Sequence, residues 1–240
     1  MSSTPTSIIQ VCRSCGGGSP VAAHFCQQCT KILTLGRHGD YFAFLGLPRT
    51  LTIAPALLEQ QFRALSRQFH PDYFYNATPA ERRASLERSS YLNDAFRTLK
   101  HPVQRIVYLL EIEGVLTPAE RGGAVASATV PPDLLEEVFA LNEELDEVRA
   151  LKASGAPDAQ WREKLQHAAA PIAAKRDAHA RDLAALASAW DAVADRPADA
   201  PERRQVLQAL RARVLERNYI NNLLATIERE GLQVSGEAEA

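Results

Sequence analysis

The chain has 240 residues, 46% of them hydrophobic and 23% charged, an ordinary globular composition with length for one or two domains of ~100–200 residues each. Lysine and arginine number 27 against 29 aspartates and glutamates, so no global basic field points to nucleic acid and no acidic tail to disorder. No apolar run approaches the ~20 residues of a membrane-spanning helix, and residues 1–10 lack the basic residues and apolar core of a targeting segment; a cytoplasmic protein is expected, with a processed organellar form as the alternative.

The first element is a cysteine module over residues 1–38. All four cysteines lie in Cys12-x2-Cys15-x10-Cys26-x2-Cys29. A disulfide scaffold would spread its cysteines along the chain and need an oxidising compartment. Two CxxC pairs instead bring two thiolates each to one ion and complete a tetrahedral site. Gly16 allows the tight turn after the first pair. Thr30 follows the second pair and suits such a turn less well. Roughly twenty residues cannot build a core, so metal binding supplies the folding energy. Four thiolates leave no open position for catalysis. A structural zinc ion on Cys12, Cys15, Cys26 and Cys29 is expected; an iron or cluster site, or a redox dithiol, are the alternatives. His24 reads as a bystander.

Residues 39–115 form an aromatic-rich helical domain. Of the 14 Phe and Tyr residues, 11 lie between Tyr41 and Tyr108. Leu58, Phe62, Leu65 and Phe69 fall at i, i+4, i+7 and i+11, one buried helical stripe. Pro55 suits its first turn, and Pro71 closes it by disfavouring helix at His70. Thr78-Pro79-Ala80-Glu81 is a capping box opening the next helix, whose stripe is Leu92, Ala95, Phe96 and Leu99. His101-Pro102 ends it. A shorter helix through Ile106, Leu109 and Leu110 stops at Gly114.

Residues 116–132 hold paired glycines and paired prolines without helical period and read as a linker. Residues 133–235 are rich in helix formers. Leu134, Val138, Leu141, Leu145 and Val148 make a 4-3-4-3 bundle seam. A second helical region spans about 158–194, with Pro171 as a kink or break. A third spans about 201–230, with Val206, Leu210, Val214, Leu215, Leu223 and Leu224 apolar. The fold class expected is mostly α: a small tetracysteine module, a helical hairpin domain and a three-helix bundle. Trp161 and Trp190 read as core or rim. His38, His101, His167 and His179 share no ligand spacing and read as exposed or capping. Neither a phosphate loop nor a Ser–His–Asp pattern is present.

His70-Pro71-Asp72 lies between an amphipathic helix and a capped one, at the tip of a helical hairpin. Pro71 stiffens a turn presenting an imidazole and a carboxylate, which suits docking to a partner's arginine. Arg63 and Arg67, at i, i+4, lie off the apolar stripe on the helix leading to that tip. They offer a basic face for an acidic partner, or a merely solvated one.

Several segments together resemble a J-domain: Tyr41-Phe42-Ala43-Phe44-Leu45-Gly46-Leu47, the helix, the His-Pro-Asp tip and Asn93-Asp94-Ala95-Phe96-Arg97-Thr98-Leu99. More narrowly, the chain resembles the HscB family of iron–sulfur-cluster co-chaperones over about residues 39–230. The narrower likeness rests on Asp40-Tyr41-Phe42, on His101-Pro102 with Arg105, Tyr108, Leu109 and Leu110, and on Leu141-Asn142-Glu143-Glu144-Leu145-Asp146-Glu147. The double CxxC resembles the extended, mitochondrial-type members.

The resemblance implies an adaptor, not an enzyme, that binds no nucleotide itself. His70, Pro71 and Asp72 would stimulate ATP hydrolysis by a DnaK/HscA-type chaperone. The C-terminal bundle would deliver the scaffold protein IscU through Leu135, Phe139, Glu143, Glu147 and Tyr219. Leu135, Phe139, Glu143 and Glu147 are successive i+4 steps beside the seam, so by periodicity Leu135 and Phe139 are either contacts or a widening of the core. Tyr73 stands where many bacterial members have Lys, and Glu136 where an apolar contact is typical. The rival readings are a general J-protein for unfolded clients, which would want a Gly/Phe-rich linker, and a CxxC thiol oxidoreductase, which would want a βαβ unit.

Overall fold

The computed structural model describes residues 9–35, 40–121 and 134–232. They fall into two compact units, one ending at Ile112 and one beginning at Glu113. The architecture is mostly helical, as expected from the sequence.

The first unit opens with β1 (Ile9–Val11) and β2 (Gly18–Pro20), an antiparallel pair with Gln10 opposite Ser19. The first CxxC lies between them. The second lies inside the isolated bridge between Phe25 and Ile32. Cys12, Cys26 and Leu33 are buried together, with Ala23 and Cys29 against them. So small a core leaves the sulfurs as the main organising feature.

Four helices follow: α1 (Tyr41–Phe44), α2 (Pro55–Phe69), α3 (Pro79–Lys100) and α4 (Pro102–Ile112). Asp40 caps α1 by accepting from the Ala43 N–H at 2.8 Å, and its other oxygen takes Arg49 Nε at 2.6 Å. The Tyr41 N–H donates to Tyr108 Oη at 2.9 Å, and the two rings stack at 4.3 Å. Thr78 and Glu81 form the expected capping box on α3. Leu58, Leu65 and Phe69 of α2 are buried, as are Leu92, Ala95 and Leu99 of α3. Phe62 stacks on Phe96 at 4.3 Å. Each such large apolar side chain contributes roughly 1.5–3 kcal/mol on full burial. Arg105 on α4 is buried too, its Nε donating to the Leu99 carbonyl at 2.7 Å and Nη1 to that of Leu51. The sequence blocks around 40–47 and 101–110 are therefore two sides of one junction.

The second unit holds α5 (Pro118–Arg121), α6 (Leu135–Ala153), α7 (Asp158–Asp191) and α8 (Pro201–Leu232). Leu134, Leu141, Leu145, Val148, Trp161, Leu165, Ala168, Ile172, Ile220 and Ile227 form one buried cluster. Trp190 is buried as well.

Four details differ from the sequence reading. The stretch read as a linker opens with helix α5, capped by Thr117: the Glu120 N–H donates to Thr117 Oγ1 at 3.4 Å, and the Thr117 N–H to Glu120 Oε2 at 2.9 Å. Glu113 pairs with Arg203 at 2.7 Å and Glu120 with Arg211, which ties this stretch to α8; residues 122–132 lie outside the described residues. Second, α7 runs on through Pro171. Ala168 and Ile172, on either side of it, are both buried, and packing holds a helix that has lost one hydrogen bond. Third, the buried face of α8 is Leu207, Leu210, Val214, Ile220 and Ile227, while Val206, Leu215, Leu223 and Leu224 are half-buried. Fourth, His179 is buried rather than exposed, with Nε2 3.3 Å from Glu216 Oε2. His38 lies outside the described residues.

Candidate functional site

The four cysteine sulfurs all lie within 4.8 Å of one another. Cys12 and Cys29 are 3.6 Å apart, as are Cys15 and Cys26. A disulfide would bring sulfurs to about 2.0 Å. A tetrahedral ion with metal–sulfur bonds of about 2.3 Å needs S–S edges of about 3.8 Å. The observed spacing fits the second case. Each CxxC closes as a turn: the Gly16 N–H donates to Cys12 O at 2.8 Å and the Thr30 N–H to Cys26 O at 2.9 Å. Gly16 and Thr30 both adopt positive φ, +75° and +57°. Glycine does so freely, whereas a β-branched residue is strained there.

The turns aim main-chain donors at sulfur. The N–H groups of Cys29 and Gln28 hold the Cys26 thiol down to about 6, and those of Cys15 and Ser14 lower Cys12. Although the Lys31 N–H favours the Cys29 thiolate, burial and the neighbouring sulfurs push that thiol up to about 12. Holding all four sulfurs as thiolates therefore requires a cation among them, and the cluster could hold one metal ion.

His24 is no ligand. Its ring meets Phe44 and Phe69 edge-on, at 4.9 and 5.0 Å between centroids. Its Nδ1 lies 2.8 Å from Arg88 Nη1. Burial and the Arg88 charge push the imidazole down to about 4, so at neutral pH it is the acceptor of that bond. Burial lowers Arg88 itself to about 10, which leaves it charged. Sequence reasoning missed Arg88. Its signal was position: it occupies the stripe that continues as Leu92, Ala95 and Leu99, where an arginine is out of place without partners.

The His-Pro-Asp turn sits at the end of α2. His70 is extended, with φ −57° and ψ 126°, and Pro71–Phe74 form one 3-10 turn. His70 Nδ1 accepts weakly from the Asp72 N–H at 3.4 Å. Both side chains are exposed. Just behind the turn, the Phe69 carbonyl accepts from Ser85 Oγ at 2.6 Å and Ser89 Oγ at 3.0 Å. The turn is thus held from behind and open in front. Tyr73 and Tyr75, at 73% and 78% exposure, present two bare aromatic rings beside it. Arg63 and Arg67 are exposed on α2, with Arg63 paired to Glu59 at 2.9 Å.

On α6, Leu135 is 41% and Phe139 67% exposed, so neither belongs to the core. Glu143 and Glu147 continue that exposed line, and Glu147 pairs with Lys164 of α7. Glu136 is exposed as well. Tyr219 is different: it is half-buried against the bundle core. The structure therefore brings four of the five candidate contact residues onto one open helix face and leaves the fifth on the flank of the core.

No family model matches the chain. Curated relatives do. A protein named co-chaperone protein HscB homolog from Cupriavidus taiwanensis is 36% identical over 152 residues, 63% of this chain and 79% of the relative. The one from Vibrio cholerae serotype O1 is 38% identical over 111 residues, 46% of this chain; the match spans 62% of that relative's length. Among solved structures, the crystal structure of human co-chaperone protein HscB aligns with TM-score 0.65 at 22% identity, over 93% of this chain and 100% of that one. The chaperone HscB from Vibrio cholerae aligns with TM-score 0.57 at 28% identity, over 81% and 99%. Among the described residues no helix is long and apolar enough to cross a membrane.

Proposed function

The chain belongs to the HscB family of co-chaperones, and from that premise we propose that it is a two-faced adaptor of iron–sulfur cluster assembly. Through His70, Pro71 and Asp72 it stimulates ATP hydrolysis by a DnaK/HscA-type chaperone. Through the open face of α6 it delivers the scaffold IscU. The ATP site belongs to the partner, so the adaptor is not itself an enzyme. The observation that carries the reading is the exposed His-Pro-Asp turn, anchored at the Phe69 carbonyl by two serines and free on its outer side. Such a turn offers a carboxylate to a partner's arginine without rearrangement.

The ion we assign to the cysteines is Zn2+, held by Cys12, Cys15, Cys26 and Cys29. When bound, it supplies structure and no open coordination position. The setting we propose is the cytoplasm, where thiols stay reduced. The test is partner ATPase rate with and without IscU. Stimulation that rises when IscU is added supports the reading; a chain that leaves the rate unchanged in both conditions refutes it.

A further inference from the structure

The tetracysteine module and the His-Pro-Asp turn meet at one residue. Phe69 is fully buried and is the last residue of α2, directly before His70. One wall of its pocket comes from α3: Ser85 and Ser89 hold its carbonyl, and the Arg88 guanidinium lies 5.6 Å from its ring centroid. A second wall comes from the module: His24 meets the ring edge-on and Phe25 lies 6.1 Å away.

Arg88 joins the two walls. Its Nε donates to the Leu33 carbonyl at 2.8 Å, Nη2 to that of Thr34 at 3.3 Å, and Nη1 to His24. His24 and Leu33 are presented by the hairpin that carries Cys26 and Cys29: the Leu33 N–H bonds His24 O at 3.0 Å and the Cys26 N–H bonds Lys31 O at 2.9 Å. The hairpin has little core beyond the cysteines. Arg88 is buried and these three bonds all go to the module, so whatever loosens the hairpin also loosens what holds this guanidinium in place.

We infer that Arg88 is a positioning residue through which the metal-filled cysteine module braces Phe69 and so the adjoining His70–Asp72 turn. The inference rests on the proposed role of that turn only for its effect on the partner. The bracing itself is a property of this chain. Metal withdrawal then acts beyond the module: it loosens the end of α2 and lowers stimulation of the partner's ATPase.

The experiment follows amide hydrogen exchange in the full chain, before and after a chelator strips the cysteines under reducing conditions. Stripping is expected to speed exchange in residues 9–35 and also over 69–72 and 85–89, by roughly tenfold or more, an ordinary strength of coupling between sites. Arg88→Met should reproduce the change at 69–72 with one ion per chain still bound, and stripping that variant should add little there. Adding zinc chloride back should reverse the effect in the parent chain only. If Arg88→Met loses its helical circular dichroism, His24→Ala, which removes the module's side-chain acceptor for Arg88 and its edge contact with Phe69, takes its place. Unchanged exchange at 69–72 on stripping, while the module opens, overturns the inference. His70→Gln separates the two readings: normal stimulation by that variant refutes the role of the turn, while the exchange result still decides the bracing.

Discussion

Truncating Phe139 to Ala tests the scaffold-facing side most sharply, because core and contact readings predict opposite results. A buried Phe or Trp cut to Ala costs roughly 3–5 kcal/mol of stability through lost transfer energy and the cavity left behind. Phe139 is 67% exposed. Full burial of such a side chain is worth roughly 1.5–3 kcal/mol, so the covered third is worth at most about 1 kcal/mol, and no enclosed cavity forms. Urea denaturation of Phe139→Ala should therefore shift by less than about 1 kcal/mol, whereas Trp161→Ala, 1% exposed in the parent, should lose several. Titration calorimetry with IscU should show the reverse order of damage. An exposed aromatic anchor covered by a partner carries roughly 1–3 kcal/mol of binding, so affinity for the scaffold should fall ~10–100-fold. ATPase stimulation without scaffold should survive, since the His-Pro-Asp turn lies in the other unit. Unchanged affinity would refute the assignment of this face. A stability loss above about 3 kcal/mol would refute the burial argument.

The remaining predictions concern the turn, the metal site and a buried histidine. His70→Gln should abolish ATPase stimulation and move the unfolding midpoint little, because exposed substitutions seldom exceed ~0.5 kcal/mol; a fully active variant would remove the claim. Thr30→Gly should relieve a left-handed strain of roughly 1–2 kcal/mol, offset by glycine's greater chain entropy of roughly 0.5–1 kcal/mol, so zinc should bind a few-fold more tightly in competition with a chelator; weaker binding would contradict the strain. Burial pushes the His179 imidazole down against the pull of Glu216, with Arg213 and Arg217 adding to the depression. The unfolded chain then takes up the proton more readily, so stability contributed by His179 is present above about pH 6.5 and lost as pH falls below it. The urea midpoint should drop between pH 7.5 and 5.5, and less so in His179→Leu; equal slopes would exclude the histidine as a source.

What could be read from the sequence was what depends on near neighbours. The Thr78 box, Pro55 at a helix start and Pro71 at a helix end act within one turn of chain, and each stands where its local chemistry requires. The two CxxC turns are equally local. The same logic could have found α5, because Thr117-Pro118-Ala119-Glu120 repeats Thr78-Pro79-Ala80-Glu81 residue for residue; the paired glycines downstream masked it. Which side chains α6 leaves open was harder. Leu135 and Phe139 lie one step off the seam, and periodicity cannot tell a broad core stripe from a bare apolar edge. Exposure decides it, and exposure depends on where α7 and α8 run.

The long-range ties were illegible for a different reason. Arg88 and Arg105 are both buried on helices of the first unit, and both donate to carbonyls more than fifty residues away in sequence: Arg88 to Leu33, Arg105 to Leu51. Neither residue belongs to a helix or a ladder, so no regular backbone pairing fixes where its carbonyl lies. A guanidinium carries five N–H donors in a fixed fork, enough to satisfy several such carbonyls at once. Lysine lacks the fork, and methionine would forfeit these bonds altogether. Apolar stripes bring the helices together, but they do not say where an irregular segment lies against them. Two arginines set into the stripes do, one for the chain leading out of the cysteine module and one for the loop before α2. The segment that most needs such a tie is the one with the smallest core of its own, which is why the metal-binding module ends on Arg88.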